Sequence, residues 1–108
     1  MRFNPISTPT AVRTSSLTAA RSARGVVLSW RTGSEVGTLG FNVYRTQGSK
    51  RVRLSRALIR ARGDVGGRSY RFVDRKAPRA AEGYWLQEVR TDSTRRWYRF
   101  TERRLPAR

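Results

Sequence analysis

The sequence predicts an all-β fold, an antiparallel sandwich of about seven short strands. Three observations carry this expectation. Apolar and polar residues alternate in short runs, most clearly where Val26, Leu28 and Trp30 interleave with Val27, Ser29 and Arg31. Turn residues separate the runs at roughly 8- to 12-residue spacing. No stretch combines the length and the period of a convincing helix, and no internal repeat is visible.

Taken in order, residues 1–15 read as a flexible tail. Pro5 and Pro9 sit there among Ser, Thr and Asn without an apolar period. The sandwich is expected over residues 16–104. Ser16 to Arg21 is a weakly alternating first edge strand, and Gly25 to Arg31 is the strongest strand. Three glycines between Thr32 and Gly40 mark a long loop. Gly40 to Thr46 follows, with Phe41 and Val43 on one face and Asn42 and Tyr44 on the other. Gln47 to Lys50 is a turn and Arg51 to Leu54 a short strand. Ser55 to Arg68 reads as a glycine-rich crossover that tucks Leu58 or Ile59 under the sandwich edge. Ser69 to Asp74 is a strand with Tyr70 and Phe72 on one face, and Arg75 to Gly83 is a turn region. Tyr84 to Thr91 and Arg95 to Glu102 form a final hairpin about Asp92 to Thr94.

Composition narrows the chemistry. The 108 residues suffice for one domain, and no apolar run reaches the roughly 18 residues of a membrane-spanning helix. The first residues show no signal-peptide core. Cysteine and histidine are both absent, which removes disulfides, thiolate zinc sites, the usual catalytic triads and the commonest general base. The acids Glu35, Asp64, Asp74, Glu82, Glu88, Asp92 and Glu102 are scattered, so neither a paired-carboxylate site nor a calcium loop is indicated. A non-enzymatic chain without cofactor or metal is the expectation.

Charge is the outlier. Lys and Arg number 24 against 7 acids, a formal net charge of +17, and all but Lys50 and Lys76 are arginine. A GC-rich genome accounts for arginine over lysine, but not for the shortage of acids. The partner that suits such a surface is an anionic polymer or surface (acidic glycan, membrane or nucleic acid) or an acidic protein. No small-molecule substrate is indicated.

The run Val27-Leu-Ser-Trp-Arg-Thr-Gly-Ser-Glu35, followed by Leu39-Gly-Phe-Asn-Val-Tyr-Arg45, resembles bacterial fibronectin type III-like modules of the immunoglobulin-like sandwich class. Tyr70-Arg-Phe-Val-Asp74 and Gly83-Tyr-Trp-Leu86 agree in order, so the resemblance spans about residues 20 to 102. It implies that Trp30 is the core tryptophan and Tyr84 the corner tyrosine, whose hydroxyl bonds to nearby backbone. It also implies a non-catalytic accessory module of the cell envelope or extracellular space. The arginine-rich turns depart from the neutral or acidic character usual in such modules.

Two candidate surfaces follow. Arg51, Arg53, Arg56, Arg60 and Arg62 flank the crossover, and Arg68, Arg71, Arg75, Lys76 and Arg79 surround the Tyr70 strand. On one sandwich edge they would concentrate phosphate or sulfate; dispersed, they are solvated charge that blocks edge pairing. The other surface is an outer sheet face of Tyr44, Trp85 and Gln87 with either Trp97 and Arg99 or Arg96 and Tyr98. The stacking set taken is Tyr44, Trp85, Arg96 and Tyr98. Such rings interleaved with arginines serve either stacking on a nucleic-acid base or plain cation–π stabilisation of the sheet. The tripeptide Arg62-Gly63-Asp64 matches an integrin-binding signature and reads more simply as a turn.

Overall fold

The computed structural model describes residues 16–62, 65–79 and 83–103. The expected tail, Gly63 and Asp64 of the tripeptide, and Glu82 lie outside the described residues. Nine strands occur among the described residues: β1 (Thr18–Ser22), β2 (Gly25–Arg31), β3 (Thr38–Gln47), β4 (Lys50–Arg53), β5 (Ile59–Arg60), β6 (Ser69–Asp74), β7 (Tyr84–Arg90), β8 (Arg95–Arg99) and β9 (Thr101–Arg103). They form two sheets, in the orders β6-β2-β1-β9 and β4-β3-β7-β8, with β5 pairing β3 beside β4. Every pairing is antiparallel except that of β1 with β9.

Alternation places the core. Val26, Leu28 and Trp30 of β2 point inward and meet Phe41 and Val43 of β3, Tyr84 and Leu86 of β7, and Tyr98 and Phe100. Trp30 is the hub. It stacks on Tyr70 with ring centroids 5.4 Å apart and meets Phe41 and Phe100 edge-on at 5.8 and 6.0 Å. Such ring pairs add to the apolar area that the tryptophan buries. Its indole N–H finds no hydrogen-bond partner among the described residues.

The crossover behaves as its composition suggests. Ile59 packs against the core, and a Cβ on Gly40 would lie 2.6 Å from the Ile59 carbonyl oxygen and 2.8 Å from Leu58 Cγ. Glycine at position 40 is what lets β5 close onto β3.

Two expectations about the strands are corrected. The first strand is not an edge strand, because β2 flanks it on one side and β9 on the other. The last strand is not continuous. At Phe100 the chain leaves β7 and crosses to β1, with the Phe100 N–H donating to the Tyr84 carbonyl and the Thr101 N–H to Leu17. The buried Phe100 ring explains the switch, since it turns into the core against Trp30.

Candidate anion-binding surface

Three of the acids share one fate. Glu35, Asp74 and Glu88 are buried, and each accepts a hydrogen bond from a tyrosine hydroxyl. Glu35 takes its bond from Tyr70, together with Thr32 Oγ1 at 2.9 Å and the Arg62 N–H at 2.8 Å. Asp74, at the end of β6, accepts from Tyr84 at 2.8 Å and from Arg45 at 2.6 Å. Glu88, in the middle of β7, accepts from Tyr98 at 2.9 Å, Thr38 at 2.6 Å and Arg90 at 2.9 Å. Burial raises the pKa values of all three phenols, and the adjacent carboxylates reinforce it. Tyr98 is pushed up to about 12, and Tyr70 and Tyr84 go higher.

This arrangement corrects one expected partner. Tyr84 bonds to the Asp74 side chain rather than to nearby backbone, because Asp74 points inward beneath the start of β7. Among the described residues, only Asp92 and Glu102 are exposed acids. Asp92 is occupied locally in the β7–β8 turn, where the Thr94 side chain and N–H donate to it and hold its carboxyl below the usual range.

On the outer face of the second sheet, the register decides which residues meet. Tyr44 lies opposite Trp85, Trp85 opposite Arg99, and Gln87 opposite both Asn42 and Trp97. Leu86 lies opposite Tyr98, which sends Tyr98 and Arg96 inward. The expected stacking set is therefore corrected. Tyr44 and Trp85 belong to the outer face; Arg96 and Tyr98 do not, and Trp97 and Arg99 stand in their place.

The rings on this face already have a partner. The Arg51 guanidinium reaches from β4 to lie 4.1 Å from the Trp85 ring centroid and 4.5 Å from that of Trp97, and Tyr44 meets Trp97 edge-on at 4.9 Å. The Trp85 indole donates to Thr46 Oγ1 at 3.0 Å. Beside the rings, Arg53 donates to Asn42 and Asn42 to Gln87, both at 2.9 Å. Cation–π pairing and a polar ladder thus occupy the face that sequence left open to base stacking.

The expected arginine patch is divided between two sheets. Arg51 and Arg53 belong to β4 and are engaged on the outer face of the second sheet. Arg71 lies on β6 of the first sheet, and Arg75 and Lys76 follow in its turn. Arg56 sits before β5 and Arg60 on it, and Arg62 and Arg68 are held by their backbone N–H groups to Glu35 and Thr32. β5 and β6 are tied at one edge of the sandwich, since Arg62 and Tyr70 share Glu35. The side chains of Arg56, Arg60, Arg71, Arg75 and Lys76 are exposed.

Sequence reasoning missed Arg24. It lies in the turn between β1 and β2, beside Arg71 and Arg75 around one hollow. The signal was its neighbour Gly25, whose φ of 126° belongs to a close approach of two backbones. No three carboxylates gather into a metal-binding group among the described residues. No family model, curated protein or solved structure matches this chain.

Proposed function

We propose that this chain is a non-catalytic, cationic binding or spacer module of fibronectin type III-like fold that holds to anionic surfaces or polymers. The observation that carries the reading is the inward fate of the acids. With Glu35, Asp74 and Glu88 buried on tyrosines, few carboxylates among the described residues remain outside to neutralise the exposed arginines. Low net acidity at the surface leaves a positive potential that draws polyanions and is screened by salt.

The strand order supports the finer fold. Lettered in chain order, β1, β2 and β6 stand as A, B and E in one sheet, and β3, β7 and β8 as C, F and G in the other, with β4 added beside C. A place in a larger envelope or secreted assembly belongs to the same reading. An intracellular nucleic-acid-binding role has less support, because Arg51 covers the rings on which bases would stack.

The test is retention of the chain by acidic polysaccharide and by vesicles containing anionic lipid, with neutral polysaccharide and neutral vesicles as controls. Retention on the anionic materials alone, released as salt rises, is expected. Equal indifference to charged and neutral materials would overturn the proposal. Tight duplex DNA binding whose log K falls by about 0.9 per phosphate contacted, without retention on glycan or vesicle, would replace it with the nucleic-acid reading.

A further inference from the structure

The outward-facing residues of β2 and β6 make a floor on the first sheet. Val27 lies directly opposite Val73, and Ser29 opposite Arg71. Above the two half-buried valines is a hollow of about 570 Å³, with Arg24, Arg71 and Arg75 around it. The fold builds this rim. A Cβ on Gly25 would fall 2.1 Å from the Asp74 carbonyl oxygen and 3.0 Å from Arg75 Cα, so the β1–β2 turn rests directly on the end of β6. The Arg21 guanidinium donates to the Pro78 carbonyl at 2.6 Å and ties the same two segments together.

The three rim arginines are exposed, and among the described residues none of their side chains has a hydrogen-bonded or ion-paired partner. That distinguishes them from Arg45, Arg51, Arg53 and Arg90, all of which are engaged within the fold. A smaller hollow of about 330 Å³ continues along the same seam, sharing Arg71 and adding Arg31, Ser29 and Ser69.

We propose that the Val27–Val73 hollow binds a phosphate or sulfate monoester carried on a short apolar body. The guanidiniums take the oxyanion, each offering two parallel N–H donors to it. The valine floor takes the apolar body, and covering it removes apolar surface from water. The volume falls in the range of small-ligand sites, about 300–1,000 Å³. Among the described residues no aromatic ring lines the hollow, so a nucleobase has nothing there on which to stack. This assignment rests on the cationic-surface reading and gives it a site and a ligand chemistry.

Calorimetric titration of the full chain with octyl phosphate, inorganic phosphate and octanol tests it. Octyl phosphate is expected to bind at least about tenfold more tightly than inorganic phosphate, and octanol not measurably. Arg71→Ala and Arg75→Ala are each expected to weaken octyl phosphate about tenfold or more. Val73→Thr is expected to weaken octyl phosphate while leaving inorganic phosphate unchanged. A Lys50→Ala variant removes equal charge from the opposite sheet and is expected to change neither.

Equal affinity for octyl and inorganic phosphate overturns the apolar floor. Equal losses from the rim variants and from the opposite-sheet variant overturn the site. In both cases, retention of the wild-type chain on anionic vesicles leaves the broader cationic reading standing; loss of that retention as well removes both. Preserved circular dichroism in each variant separates lost binding from lost folding.

Discussion

Replacing Glu88 with leucine tests whether the buried acids are structural parts of the fold. Glu88 is wholly buried, and its carboxylate collects donors from Tyr98, Thr38 and Arg90. Leucine fills much of the same volume but accepts nothing. The Arg90 guanidinium, whose side chain is only 10% exposed, then remains inside without its counter-charge. Breaking a buried pair from one side costs about 3–5 kcal/mol. A domain of this size has about 5–15 kcal/mol of stability in total.

The expected outcome for Glu88→Leu is thus loss of a large part of the folding free energy. Glu88→Gln should fall between, since the amide oxygen still accepts from Thr38 and Arg90 while the charge is gone. Its expected loss is about 1.5–3 kcal/mol. As a reference, Glu102→Gln removes an exposed acid and should stay within about 0.5 kcal/mol of wild type. Denaturant unfolding followed by tryptophan fluorescence reads all three, with the buried Trp30 among the reporters. A Glu88→Leu protein as stable as wild type would refute the reasoning: the carboxylate would then be replaceable by apolar packing, and the acids would not be committed to the interior.

Two further outcomes follow from the same contacts. Tyr98 ionises at about 12 in the folded chain against about 10 when unfolded, and Tyr70 and Tyr84 are shifted in the same direction. A raised folded value keeps its stabilisation whole below about pH 10 and loses it as pH rises towards the folded value, so stability should drop above pH 10 and drop less in Tyr98→Phe, as measured by urea midpoints across that range. Arg51→Ala removes the guanidinium from Trp85 and Trp97 and should cost about 1–2 kcal/mol, with a shift in tryptophan emission as both indoles meet water; an unchanged midpoint and spectrum would show that the contact contributes nothing.

Much of the sandwich was legible in the chain because period-two alternation depends only on which face is buried. The strands β2, β6 and β7 fall where Val26–Trp30, Tyr70–Phe72 and Tyr84–Leu86 put them. Arg96 and Tyr98 were misplaced for a related reason. Apolar, aromatic and cationic residues occur at both parities of Arg95 to Glu102, so the sequence of that strand does not choose its own inner face. The pairing of Leu86 with Tyr98 chooses it. The break at Phe100 was hidden likewise, since a strand that changes sheets keeps the same local pattern.

By itself, the sequence determined the strand pattern and the excess of positive charge. These are properties of residue type and short-range order. Only the tertiary structure decided how that charge is used. It turned Glu35, Asp74 and Glu88 inward onto tyrosines from distant strands, closed Arg51 over two indoles, and brought Arg24 from the β1–β2 turn beside Arg71 and Arg75. Those partners lie far apart in the chain, and their encounters depend on register and sheet order, which no local pattern encodes. The physical reason is that a charge is neutralised by what stands next to it in space, and long-range strand pairing sets that neighbour.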